Sequence, residues 1–129
     1  MILVDSSVWI DYFNDQPSEA TDKLDSFLGN KKLLTGDLIL TEVLEGFKSN
    51  KDYAVARSLL ISLEIRSLAG QSIALKAAEN YRSLRKNGIT IRKTIDSFIA
   101  TYCIEHDLFL LQSDKDFLPF SDYLGLQLI

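Results

Sequence analysis

Cysteine and histidine are almost missing from this chain, which holds one of each, Cys103 and His106, in 129 residues. A lone cysteine closes no internal disulfide. One histidine and one cysteine together cannot supply a zinc site of the usual His/Cys kind. A reducing compartment is therefore expected, and with it a cytoplasmic protein. Long hydrophobic runs are lacking too: the longest is four residues, as in Leu108-Phe109-Leu110-Leu111. A bilayer needs about 20 apolar residues in a helical span, so no membrane role is expected. No positive stretch precedes an apolar one near Met1, so a secretory leader is not expected either. Internal repeats, low-complexity tracts and linker-like compositions are also absent, and a single domain over residues 1–129 follows as the simplest organisation. Finally, there is no excess of positive charge. The 14 Lys and Arg stand against 18 Asp and Glu, a formal net charge of −4, whereas nucleic-acid binders usually carry a basic footprint.

Apolar patterning gives a strand over Ile2 to Val4, a short helix from Ser7 to Phe13, and a helix opened by Pro17 and Ser18 that runs to Leu28. Lys32 to Thr35 reads as a second strand, followed by helices over Thr41 to Phe47 and Asp52 to Leu63. Glu64 to Leu68 reads as a third strand, and Gln71 to Lys86 as a long helix closed by Asn87-Gly88. Thr94 to His106 is helical, Leu108 to Leu111 a fourth strand, and Leu126 to Ile129 a candidate fifth. Strands separated by helices, with continuous apolar strand runs, argue for an α/β fold whose parallel sheet is covered on both faces. Strands one and four are the most apolar and so the most central. The two short helices after residue 40 are compatible with an insertion standing off the sheet.

Four acids stand where chemistry is done rather than where solubility is kept. Asp5 follows the first strand directly, and ligands of open α/β sheets bind at the carboxyl ends of strands. It could instead cap the next helix, as Ser6 could. Glu42 lies at the edge of the apolar face made by Leu40, Val43, Leu44 and Phe47, with Glu45 the more solvent-directed of the two. Asp96 shares a helical face with Ile99, Ala100 and Cys103, and a carboxylate on an apolar face is costly unless paired or metal-bound. Its alternative is a first-turn acid favoured by the helix dipole, behind a Thr94 cap. Asp114 follows strand four as Asp5 follows strand one, with Asp116 two residues later; alone it would read as turn chemistry.

Acids without histidine or cysteine suit hard cations, Mg²⁺ or Mn²⁺. Metal-assisted phosphodiester hydrolysis uses such ions to orient the phosphate, activate water and stabilise the leaving oxygen. The net charge then loses its force, because setting these four acids aside leaves 14 acids against 14 bases. The run from Arg82 to Lys93 holds five basic residues and no acid and leads straight to Asp96. It reads as a helix C-terminus stabilised by basic residues or as a phosphate-contacting stretch.

With these residues assembled, the chain resembles a PIN-domain ribonuclease of the VapC type, the toxin of a prokaryotic toxin–antitoxin pair. MILVDSSVWIDYF resembles the opening of that family, and TEVLEGF, TIDSFIA and LLQSDKDF match its later acidic motifs in order. The resemblance implies a three-layer α/β/α sandwich with a central parallel sheet of four to five strands. It implies Mg²⁺-dependent endonucleolytic cleavage of RNA, often tRNA or ribosomal RNA. Carried over, Asp5, Asp96 and Asp114 are metal ligands and Glu42 completes the catalytic acids, with Asp116 an alternate for Asp114. Where many relatives have Thr, this chain has Gln112, so Ser113 or Ser6 is left to supply the hydroxyl. A homodimer and a small antitoxin that covers the active site, sometimes with an arginine, are the implied partners.

The remaining residues read plainly: His106 as a helix-end residue, Cys103 as core, Trp9 with Tyr12 and Phe13 as core or dimer contact. A response-regulator receiver would want adjacent acids after strand one, and a haloacid-dehalogenase-type phosphatase would want Asp-x-Asp there; position 7 is Ser. The remaining alternative is a PIN-like module that binds RNA or a protein without cutting.

Overall fold

The computed structural model describes all 129 residues. Its strands are β1 (Ile2–Val4), β2 (Leu33–Gly36), β3 (Glu64–Arg66), β4 (Phe109–Leu111) and β5 (Gln127–Leu128). Its helices are α1 (Ser6–Phe13), α2 (Glu19–Phe27), α3 (Asp37–Leu44), α4 (Asn50–Ile61), α5 (Gln71–Lys86), α6 (Thr94–Glu105) and α7 (Leu118–Leu124). A single 3-10 turn, Lys115–Phe117, precedes α7.

All five strands form one parallel sheet in the order β3-β2-β1-β4-β5. The first strand of the chain is thus the middle strand of the sheet. Ile2 pairs with Leu33 on one side and Phe109 on the other, and Val4 pairs with Leu111. Successive strand residues point to opposite faces, yet Ile2, Leu3 and Val4 are all buried, so helices cover both faces. This is the expected three-layer α/β/α sandwich. Glu64 and Ile65 of the edge strand β3 are exposed, and β3 stops at Arg66, opposite the end of β2 at Gly36, instead of reaching Leu68. Leu68 itself folds back into the core.

Three other expectations change. The helix carrying Glu42 begins at Asp37, not Thr41, and ends at Leu44, before Phe47. Asp37 sets that start, since one carboxylate oxygen accepts from Leu38 N at 2.9 Å and from Leu68 N at 3.0 Å. The helices after residue 40 do not stand off the sheet, because Ile39 and Val43 of α3 and Leu60 of α4 join the main core. Helix α7 lay outside the sequence reading. It is short and has a proline in its first turn, yet it buries Phe120 and ends on Gly125, whose φ of 79° is the left-handed conformation glycine takes at helix ends.

Trp9 is fully buried and stacks on Phe13 at 5.8 Å, so it serves as core. Cys103 is core as well, and burial pushes its thiol up to about 12, too high for reactivity at neutral pH. His106 caps the end of α6 and stacks on Tyr102.

Candidate metal centre

Parallel strands all present their carboxyl ends to one edge of the sheet, and the candidate acids gather at that edge. Asp5 leaves β1 at the sheet's centre, its N–H donating to Leu111 O at 2.9 Å. Helix α1 starts at once, and Asp5 caps it: Oδ2 accepts from Ser7 N at 3.0 Å. The cap reading of Asp5 is therefore right, and it does not exhaust the residue. Oδ1 is buried with no partner, and the residue is only 3% exposed. The loop after β4 is drawn alongside, with Ser113 N donating to Ser7 Oγ at 3.2 Å, which brings Asp114 next to the start of α1.

Asp96 enters from the first turn of α6. Thr94 is not its cap; Lys93 holds that position and makes no side-chain cap bond. Asp96 is 4% exposed, and its Oδ2 also lacks any partner. Glu42 comes from α3, half-buried, and Ser6 Oγ donates to its Oε1 at 2.8 Å. Of the two hydroxyls considered, it is thus Ser6 that meets an acid. Glu45 is exposed, as expected.

One cavity of about 610 Å³ is lined by Asp5, Ser6, Glu42, Asp96 and Asp114, with Lys93 and Lys115 at its margin. Carboxylate oxygens of Asp96, Asp114 and Asp116 all lie within 4.8 Å of one another. Asp114 and Asp116 are thus not alternatives in space. Asp114 Oδ1 accepts from Asp116 N at 2.9 Å and so caps the 3-10 turn, while Asp116 takes Arg92 as its partner. That ion pair is the feature the sequence reading missed. Its only sequence signal was the basic run before Asp96, which the structure divides. Arg85 and Lys86 end α5, as basic residues at helix C-termini do; Arg92 and Lys93 reach the acids.

The electrostatics follow from crowding and burial. Burial, opposed by the hydrogen bonds from Ser7 and reinforced by Glu42, raises the pKa of Asp5 above the usual carboxylate range. Asp96 is pushed up to about 7, first by burial and then by the charge of Asp5; Lys93 opposes this, while Asp114 and Glu42 add to it. Two buried, under-partnered carboxylates that repel each other form a site that wants a cation. Oxygen donors alone, with no sulfur or imidazole, fit a hard divalent ion.

The PIN-domain family profile matches residues 2–121, nearly the whole chain and every acid just described. The chain belongs to the PIN-domain family. This PIN domain is 28% identical over 119 residues to Ribonuclease VapC11 of Mycobacterium tuberculosis, covering 91% of this chain and 89% of that one. Its fold is that of VapBC2 from Rickettsia felis, solved bound to a DNA fragment from its promoter, with a TM-score of 0.77 and 19% identity over 100% of this chain and 98% of that one. It is also the fold of Mycobacterium tuberculosis VapC20, described as a sarcin-ricin loop cleaving toxin, with a TM-score of 0.69 and 15% identity over 92% and 93% of the two chains.

Proposed function

We propose that this PIN domain is a metal-dependent endoribonuclease of the VapC type, the toxin of a toxin–antitoxin pair. The observation that carries the reading is the pair of orphaned, buried carboxylate oxygens, Asp5 Oδ1 and Asp96 Oδ2, belonging to one acid-rich cavity at the end of the central strand. An ionised carboxylate taken out of water without a partner costs several kcal/mol, and a divalent cation removes that cost. Asp5, Asp96 and Asp114 would hold the ion, Mg²⁺ with Mn²⁺ as a substitute. When bound, it would supply positive charge to the scissile phosphate and acidify a water.

The chain's own residues do the rest. Glu42 is held by Ser6 through Oε1 and would act as the acceptor of a proton from the attacking water. Lys93 and Lys115 offer charge to phosphates entering the cavity. The substrate class is RNA, with tRNA or ribosomal RNA the targets to examine first. A small antitoxin that masks the cavity, a homodimeric assembly and a cytoplasmic location complete the proposal. An antitoxin arginine would suit this cavity, because guanidinium groups pair well with carboxylates. No helix is long and apolar enough to cross a membrane.

Cleavage of an RNA panel by the purified chain is expected with Mg²⁺, and is expected to stop with EDTA and in Asp5→Asn. Binding of RNA without cutting by the wild type, across that panel, would establish the non-catalytic alternative. Ser6→Ala is expected to leave the fold intact and lower turnover by about 10- to 100-fold, the range typical for groups that orient a centre's ligands. Unchanged kcat in that variant would detach Ser6 from the chemistry.

A further inference from the structure

We propose that Arg92 is a resident cation of the acidic centre, its guanidinium taking the place of a second divalent ion and restricting the centre to one. The inference rests on the metal-centre reading above. Magnesium usually takes one or two protein carboxylates and keeps several waters. The cavity edge offers far more than that: Asp96, Asp114 and Asp116 within 4.8 Å of one another, with Asp5 and Glu42 close enough to perturb Asp96. Carboxylates at that density are what two-metal nucleases use to hold ions about 4 Å apart.

Asp116, however, is already engaged. Arg92 Nε donates to its Oδ2 at 3.0 Å, and Nη2 lies 2.9 Å from the same oxygen as an ion pair. A charge-assisted hydrogen bond and a close guanidinium charge on that oxygen compete with a metal for Oδ2 and reduce the negative charge Asp116 offers a second ion. The pair is not an incidental surface contact of the acid, since the Asp116 side chain is only 16% exposed. Nor does the guanidinium answer Asp116 alone. Asp116 is the main cause of its raised pKa, but Asp114 and Asp96 contribute as well, so the charge stands in the field of the whole trio. A second dication brought to that corner would meet the positive charge of the paired guanidinium. Arginine suits the role better than lysine, because its planar fork holds its position and its charge is permanent. The chain order also permits it: Arg92 lies just before α6, which carries Asp96, and reaches across to the turn after β4 that carries Asp114 and Asp116.

The test is the stoichiometry of Mn²⁺ binding, read by electron paramagnetic resonance and by calorimetry, neither of which requires RNA or turnover. The wild type is expected to bind one Mn²⁺ per chain. Arg92→Gln removes the charge from a side chain that is 68% exposed, so the fold should persist, and it is expected to bind two. Arg92→Lys keeps the charge and is expected to bind one. Two ions on the wild type, or one on Arg92→Gln, would overturn the inference and leave the metal centre standing. No ion on any of the three would overturn the metal-centre reading and this inference with it.

Discussion

Asp96→Asn is expected to abolish cleavage and, in the absence of metal, to make the protein more stable. The two effects have one origin. The Asp96 carboxyl titrates near 7 in the folded chain against an ordinary value of 3.8. Between those values the folded state holds a proton that the unfolded state has lost, so stability falls as pH rises through that window, by about 1.4 kcal/mol per unit. The loss is complete above pH 7, where wild-type Asp96 is buried, charged and repelled by Asp5. Asparagine has nearly the same shape and no charge to desolvate. In EDTA at pH 8 the variant should gain on the order of 2–4 kcal/mol over the wild type, and near pH 4 almost nothing. Saturating Mg²⁺ should close most of that gap. At 100 times its Kd an ion adds about 2.7 kcal/mol to a protein that binds it only when folded, and the variant would lack a ligand. Cleavage should fall at least about a thousandfold, which corresponds to the several kcal/mol a Lewis acid gives a transition state. Urea unfolding at the two pH values, with and without Mg²⁺, checks the first part and RNA turnover the second. A variant that cuts at the wild-type rate would remove Asp96 from the centre.

The second large effect lies outside the acids. Gly36→Ala is expected to destabilise the fold by about 3 kcal/mol, the upper end for inserting a methyl into a packed core. A Cβ on Gly36 would lie 2.2 Å from Leu68 Cδ1, 2.4 Å from Cγ and 2.9 Å from Cδ2. Leu68 is fully buried and cannot swing into solvent. The backbone at Gly36, with φ −138°, is open to any residue, so the obstacle is space and not conformation. Gly36 also ends β2 and caps α3, so a shift there carries Glu42 with it and should lower turnover along with stability. Leu68→Ala alone should cost about 2–5 kcal/mol. Combined with Gly36→Ala it should cost clearly less than the sum, because the alanine at 68 leaves room for the new methyl. Additivity within about 0.5 kcal/mol would mean the two residues do not clash.

What could be read in the sequence were features whose cause is local. Asp5 stood out because an apolar run ends at it and a helix begins after it. Asp96 stood out because an acid on the Ile99, Ala100 and Cys103 face has no business there without a partner, and in the folded chain one of its oxygens has none. The central places of β1 and β4 followed from runs that are apolar on both faces. What escaped depends on tertiary placement. Glu42 meets Ser6 and Arg92 meets Asp116 across long stretches of chain, and no periodicity announces either pair. The start of α3 is set by an aspartate whose second partner is the distant Leu68 N–H. Helix α7 is too short to display a period, and its proline reads as a stop until the turn before it is known.

The order of the sheet has a consequence for how the protein comes into being. Its middle strand is made before the other four, and one of that strand's two neighbours is made fourth of the five, since Ile2 pairs with Phe109. Such sequence-distant pairing closes late, after most loop entropy has been lost. The four acids are spread in the same way, from Asp5 to Asp114. A nascent chain therefore lacks the full set of acids until Asp114 has been made, so a nuclease that depends on them would stay inactive while the segment from Asp5 to Asp114 is synthesised. Copies terminated before Asp114 would be inactive as well.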